Sequence, residues 1–209
     1  MIRFKDRKQA GQLLADVLQK YAHNKHAIVI GLPRGGVVPA YEIAKRLRLP
    51  VDVIVPRKIG APLQPELAVG AVTEDGAVLF NESVMHKFGL KPNDVSDVIQ
   101  KEQNEAQRRI ALFRKNKPPL NLEDKIVIIV DDGVATGATM RAAIVSAKQR
   151  GAKEIVLALP VAPIDFRKMV QDEVDEMVIL QEPDFFPAVG YFYDNFAQVE
   201  DDEVVKLLS

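Results

Sequence analysis

The chain has 209 residues, 47% of them hydrophobic, and a formal net charge of −1. That length and apolar share suit one compact α/β domain with a small appendage, and the balanced charge argues against a general polyanion binder, nucleic acid included. Without cysteine there is no disulfide, thiolate nucleophile or zinc-thiolate site, and His23, His26 and His86 lack metal-ligand spacing. The apolar runs are strand-sized, and Met1-Ile2-Arg3-Phe4-Lys5-Asp6-Arg7 carries no signal-peptide stretch, so the expectation is a cytoplasmic protein without a membrane partner.

Ala10, Leu13, Leu14, Val17, Leu18 and Tyr21 recur at helical spacing and predict a packing helix over residues 6–21. Ala27-Ile28-Val29-Ile30 reads as a strand that runs into the turn Gly31-Leu32-Pro33-Arg34-Gly35-Gly36. A helix from about Val38 to Arg48 and a strand over Val51–Val55 complete a βαβ unit, which implies parallel pairing. The Gly-rich turn offers backbone N–H groups, and Arg34 adds a fork of charged donors suited to phosphate oxygens. Such a turn is weak evidence alone.

Beyond Arg57-Lys58 the pattern changes. Ile59–Gln64 holds Gly60 and Pro62 without periodicity and reads as a loop; Leu67–Thr73 and Ala77–Asn81 flank Glu74-Asp75-Gly76, a hairpin turn. A charged helix is expected from Pro92 to Lys115, closed by Pro118-Pro119. The whole excursion, about 59–119, is expected to form a movable cover and insertion over the ligand edge of the sheet. Its mobile part is placed at Ile59 to Pro65, with Glu66, just beyond, as a candidate for handling an acceptor proton.

The most informative stretch is Val127 to Met140. Val127-Ile128-Ile129-Val130 has no polar position to turn outward, so it reads as a central strand covered on both faces. Asp131 and Asp132 stand at its carboxyl end, where open α/β sheets place ligands. Gly133-Val134-Ala135-Thr136-Gly137-Ala138-Thr139 then opens a helix that ends at Gly151. Free N–H groups at that helix start, with the hydroxyls of Thr136 and Thr139, make a nest for a phosphate monoester. Two carboxylates would repel a phosphate but suit the vicinal hydroxyls of a ribose. Taken singly, these features are equally those of a strand end and an ordinary turn; as an ordered set they point to a phosphorylated ribose.

A strand over 155–160, a helix over about 164–171 and a strand over 177–180 follow. The tail from Gln181 is dense in aromatics (Phe185, Phe186, Tyr191, Phe192, Tyr193, Phe196), and Asp201-Asp202 starts a last short helix. On composition alone the tail reads as a segment fixed to the core by aromatic burial.

Four apolar residues, two acids, a short spacer and Thr-Gly-x-Thr, complete from Val127 to Thr139, resemble the signature of the type I phosphoribosyltransferases. The resemblance implies an open, mostly parallel twisted sheet with helices on both faces, one domain over 1–209, a helical and hairpin insertion, and a carboxyl-terminal hood near 181–209 to which the amino terminus contributes. It implies 5-phosphoribosyl-1-diphosphate as donor, its monoester on Ala135–Thr139 and its ribose hydroxyls on Asp131 and Asp132. Arg34, Gly35 and Gly36 match the pyrophosphate loop, often with a strained or cis peptide, and Arg57-Lys58 matches a basic pair that contacts pyrophosphate, in some members across a homodimer. Lys58 reads otherwise as a solvated charge. Mg²⁺ is implied, carried by the substrate with no dedicated protein cage.

Phe186, Val189, Tyr191 and Asp194 match the hood over an acceptor base, and Val189-Gly190-Tyr191 with Asp194 is similar to hypoxanthine-guanine phosphoribosyltransferases. Two departures argue against that substrate. Ala135 stands where those enzymes carry an aspartate, as in adenine phosphoribosyltransferases, and Leu159-Pro160-Val161-Ala162-Pro163 lacks their base-reading lysine. RFKDRKQAG, PRKIGAP, PELAVGAV and AVGYFYDNF look most like a group of bacterial phosphoribosyltransferases of unassigned acceptor. A non-catalytic regulator that senses phosphoribosyl diphosphate or nucleotides on the same fold is the rival expectation.

Overall fold

The computed structural model describes residues 3–115 and 117–209. Met1 and Ile2, in the amino-terminal stretch read above, and Asn116, inside the expected insertion, lie outside the described residues. The amino-terminal unit is α1 (Arg7–Val17), β1 (Ala27–Gly31), α2 (Val37–Leu47) and β2 (Val51–Val53). Then come β3 (Arg57–Ala61), β4 (Gln64–Val72), β5 (Val78–Phe80), α3 (Glu82–Lys87) and α4 (Ser96–Phe113). The carboxyl half is β6 (Ile126–Val130), α5 (Ala138–Gln149), β7 (Glu154–Val161), α6 (Phe166–Val170), β8 (Glu176–Gln181) and α7 (Asp201–Leu208).

The main sheet has the order β2-β1-β6-β7-β8, every pair parallel. Strand alternation divides its side chains between two faces. Ile28, Ile30, Val127, Ile129 and Leu157 meet Met140, Ala143 and Ile144 of α5 and Phe166 of α6. Val29, Ile128, Val130 and Val156 meet Leu14 of α1, Leu18 at its C-cap, and Ile43 and Leu47 of α2 on the opposite face. Each fully buried aliphatic side chain stabilises by about 1.5–3 kcal/mol, and a one-residue slip would exchange the two faces, so register is strongly specified. These are the central strands and the two-sided cover that the apolar runs predict.

The expected loop at Ile59–Gln64 is a correction. β3 and β4 pair antiparallel across it, from Arg57 opposite Val72 to Ala61 opposite Gln64, leaving only Pro62-Leu63 as the turn. The alternation that would reveal such strands is broken by register shifts on both sides of Gly60. Pro65 sits in the part of β4 that β5 does not reach, because β5 pairs only with Gly70–Val72. The hairpin at Glu74-Asp75-Gly76 is as expected. The predicted single helix from Pro92 begins instead as a 3₁₀ turn over Pro92–Val95, and α3 appears where no helix was expected, capped by Asn81 Oδ1 accepting from the Val84 N–H at 3.3 Å.

This three-stranded sheet has its own core: Ile59, Val69 and Val72 pack with Met85 and Val95. It is clamped to α5 by Arg150, which donates to Glu74 Oε1 at 2.6 Å and to Asp75 Oδ2 at 2.8 Å, while Ser146 Oγ donates to Asp75 at 2.7 Å. Arg114, just past α4, makes a two-pronged pair with Asp52 of β2 at 2.7 and 3.0 Å, fixing the far end of the insertion to the sheet edge. Among the described residues no helix is long and apolar enough to cross a membrane.

Candidate active site

Between β1 and β6 the winding of the sheet reverses: from β1 the chain moves to β2 on one side, from β6 to β7 and β8 on the other. The loops leaving two adjacent strands there part in opposite directions, and the crevice between them is where such sheets take ligands. β1 leads into residues 32–36 and β6 into residues 131–137.

The two loops touch. A Cβ added to Gly35 would stand 2.0 Å from Asp132 Oδ2, and one added to Gly36 would stand 2.8 Å from Asp131 Cα, so only glycine lets the first loop lie against the acids. The Gly36 N–H donates to the Leu32 carbonyl at 3.0 Å and closes the turn. The peptide between Pro33 and Arg34 is cis, as the resemblance implies for some members at this loop.

Asp131 and Asp132 form one hydrogen-bonded unit. The Asp132 N–H donates to Asp131 Oδ1 at 2.8 Å, Arg7 Nε donates to Asp132 Oδ2 at 2.6 Å, and the Tyr193 hydroxyl donates to the Asp132 carbonyl at 2.5 Å. Burial, and next the charge of its neighbour, push the Asp131 carboxyl well above the usual carboxylate range. Burial raises Asp132 too, against the opposing pull of Arg7. Two carboxylates withdrawn from water at a strand end hold their charge at a cost, and groups that donate hydrogen bonds to them relieve it.

Past the acids, Gly137 takes φ +77° at the start of α5, a conformation that favours glycine, and a Cβ there would meet Phe166 at 2.9 Å. Ala135 and Thr136 are exposed, Ala138 and Thr139 half-buried. The first N–H groups of a helix have no partner within it, and here they open beside the two threonines. Gly133 lies under the tail: a Cβ on it would meet Val189 at 2.6 Å and Val161 at 3.0 Å.

The basic residues are placed less uniformly. Arg34 lies 3.3 Å from Glu200 and 3.7 Å from Asp201, at the start of α7. Arg57 and Lys58 are on β3, pairing with Glu102 at 2.7 Å and Glu66 at 3.4 Å, beside a cavity of about 340 Å³ that Pro62, Val98 and Lys101 also line. Glu66 stands in solvent, its side chain 99% exposed. Among the described residues no hydrogen bond or ion pair joins Arg57, Lys58 or Glu66 to the acidic pair.

In the tail, Phe192 and Tyr193 are buried and join Phe4 and Val161 in a small core, with Phe186 stacked on Phe192 at 5.1 Å. Tyr191 is half exposed, and Asp194 pairs with Arg3 at 3.2 Å. The segment around Phe4 pairs with the tail: the Phe4 N–H donates to the Phe192 carbonyl, and the Asp194 N–H to that of Phe4, both at 2.8 Å.

A family model described as the phosphoribosyl transferase domain matches residues 4–194. The chain belongs to that family. Two proteins from strains of Mycobacterium tuberculosis, provisionally named phosphoribosyl transferases, are 45% identical over 205 residues, which is 98% of this chain and 46% of theirs. The chain thus spans about half the length of the curated relatives it matches. The crystal structure of TT1426 from Thermus thermophilus superposes with a TM-score of 0.84 at 37% identity, covering 99% of this chain and 98% of that one. That superposition takes in both the parallel sheet and the antiparallel insertion.

One residue of the site escaped the sequence reading. Arg7 contacts Asp132 across 125 positions, and nothing in the run Arg3-Phe4-Lys5-Asp6-Arg7 separates it from its cationic neighbours. Asp6 caps α1, and both Arg7 and Lys8 stand against the helix dipole in its first turn, so that signal marks a pair of cations and not Arg7 alone.

Proposed function

We propose that this chain transfers the ribosyl 5-phosphate of 5-phosphoribosyl-1-diphosphate to a ring nitrogen of a base and releases diphosphate. The observation that carries the reading is the contact between the 32–36 loop and the acidic pair at the reversal of the sheet. In this reading the 5-phosphate takes the N–H groups and hydroxyls of Ala135–Thr139, the ribose hydroxyls donate to Asp131 and Asp132, and the diphosphate lies on Gly35 and Gly36 near Arg34. The base sits beside Val189, under Phe186 and Tyr191, with Asp194 at its margin.

The chemistry asked of the protein is positioning and charge stabilisation. As the bond from the anomeric carbon to diphosphate lengthens, the ribosyl ring gains positive charge, and two half-buried carboxylates under its hydroxyls favour that charge. Tyr193 holds the strand end that carries them. The residues fit a divalent ion such as Mg²⁺ in so far as two carboxylates stand beside an anion-sized loop, so Asp131 and Asp132 would help to hold it through the ribose hydroxyls. Its contribution when bound is to neutralise the leaving diphosphate. Lys58, Arg57 and Glu66, on β3 and β4, would join the site by closure of the hairpin or from a second subunit of a homodimer.

The test is diphosphate release from the donor with Mg²⁺ and a panel of purine, pyrimidine and related bases. Release that depends on a particular base, with formation of its nucleotide, is the expected result. Tight donor binding without turnover on any base would instead identify a sensor of phosphoribosyl diphosphate, and no binding would overturn both readings.

A further inference from the structure

Arg7 touches three parts of the site at once. Its Nε donates to Asp132, its Nη1 donates to the Ala197 carbonyl at 2.7 Å, and its guanidinium carbon lies 3.8 Å over the Phe196 ring. A Cβ on Gly35 would stand 3.0 Å from the same Nε, which brings the guanidinium within contact distance of the 32–36 loop. Arg7 and Asp132 are both largely withdrawn from water, with side chains 11% and 14% exposed. Neither charge is stable there alone.

The pair and the ligand make competing claims. A ribose hydroxyl that donates to Asp132 Oδ2 approaches the atom that now accepts from Arg7. The guanidinium set free is held in the crevice by Phe196 and Ala197 and needs another anion. A diphosphate on the adjoining loop is such an anion, and the planar guanidinium suits two of its oxygens.

We propose that Arg7 is a switching diphosphate ligand: it neutralises Asp132 in the empty site and passes to the diphosphate of the donor when the ribose hydroxyls take the carboxylate. The inference rests on the ribose and diphosphate placements given under Proposed function. Its consequence is selectivity. A ribose phosphate without diphosphate displaces Arg7 and leaves it unpaired, so it binds poorly; the complete donor both displaces and re-pairs it. Once diphosphate departs, the same exchange reversed favours release of the nucleotide.

The exchange predicts changes of opposite sign in one variant. By calorimetry with Mg²⁺, Arg7→Met should weaken 5-phosphoribosyl-1-diphosphate by about ten-fold or more, the loss expected for charge-assisted hydrogen bonds. The same variant should bind ribose 5-phosphate as tightly as the parent or tighter. Arg7→Lys, which keeps the charge without the fork, should restore part of the donor affinity. If Arg7 only orients Asp132, both ligands weaken together, and that result overturns the proposal. Should Arg7→Met fail to fold, the parent decides the matter: the Arg7 Nε–H resonance must move on addition of the donor with Mg²⁺, and an unmoved resonance overturns the exchange. A parent that binds neither ligand removes the underlying placement and the exchange with it.

Discussion

The two sheets of this molecule are held together in different ways. The parallel sheet is covered on both faces by helices, and β1 and β7 are buried along nearly their whole length. In the antiparallel sheet β4 passes from exposed at Gln64-Pro65-Glu66 to buried over Val69–Val72, so one end is anchored and the other stands free. The fixed half of the site, the two loops at the sheet reversal, is built on the first. The second carries Arg57, Lys58 and Glu66 on a hairpin whose tip residue, Leu63, is 96% exposed. On the proposed reading, the rigid frame would hold the ribosyl donor and the cantilever beside it would cover it.

The anchor of the cantilever should give the largest effect. Arg150→Met removes the partner of Glu74, whose side chain is 6% exposed, and should destabilise by about 3 kcal/mol. Burial already raises the Glu74 carboxyl above its ordinary 4.5, and loss of Arg150 raises it further. A carboxyl whose folded pKa exceeds its unfolded one loses stability as pH climbs from the unfolded value to the folded one. The deficit should therefore be smallest near pH 4.5 and grow toward neutrality; denaturant midpoints that give a constant deficit would show that Glu74 and Arg150 do not carry the joint.

In the rigid frame, Gly36→Ala should cost about 1–3 kcal/mol, because the new methyl meets the Leu32 carbonyl at 2.7 Å and the Asp131 backbone at 2.8 Å, neither of which can swing aside. Donor binding should be lost with it. Full donor affinity in a stable Gly36→Ala protein would separate the loop from the ligand.

The two acids should respond with opposite signs. Asp131→Asn replaces a carboxyl whose charged form burial and Asp132 disfavour, so it should stabilise the empty protein by about 0.5–1 kcal/mol at neutral pH while weakening the donor. Because the Asp131 pKa is raised, the parent loses stability as pH rises from 3.8, and the variant should lack that part of the slope. Asp132→Asn strands Arg7 and should destabilise instead. Thermal scans in which both variants fall alike would mean that Arg7 does not discriminate between them.

Smallest is Leu63→Ala at the tip, expected within about 0.5 kcal/mol of the parent by denaturation. Hydrogen exchange should be fast at Gln64–Leu67, slow at Val69–Val72, and slowed at the former by donor with Mg²⁺. Exchange at the tip that ignores the ligand, together with an unchanged KM in Leu63→Ala, would leave the hairpin without a covering role.

What was legible in the sequence follows the same division. Val127–Val130, Asp131, Asp132 and the turn to Thr139 could be read because a strand buried on both faces and a helix start impose strict local rules. The β3–β4 hairpin could not, since the register shifts around Gly60 break the alternation that announces a strand and Pro65 reads as a breaker. α3 is held by a single asparagine cap over six residues, too short for periodicity to emerge. Arg7 lay hidden for another reason: its partner is chosen by the tertiary fold, and Lys8 beside it in the same helical turn carries the same local signal.

The parallel bridge between Phe4 and Tyr193 bears on the order in which the chain acquires its site. During translation Arg7 emerges well before the carbonyl of Ala197, 190 positions further on, and the ring of Phe196 that hold it. Closing so large a loop costs little more entropy than closing a moderate one, yet contacts so remote in sequence form slowly. A nascent chain can thus complete its parallel sheet while the crevice still lacks its amino-terminal wall. Competence to bind should arrive only when the segments around Phe4–Arg7 and Tyr193–Ala197 meet over Asp132.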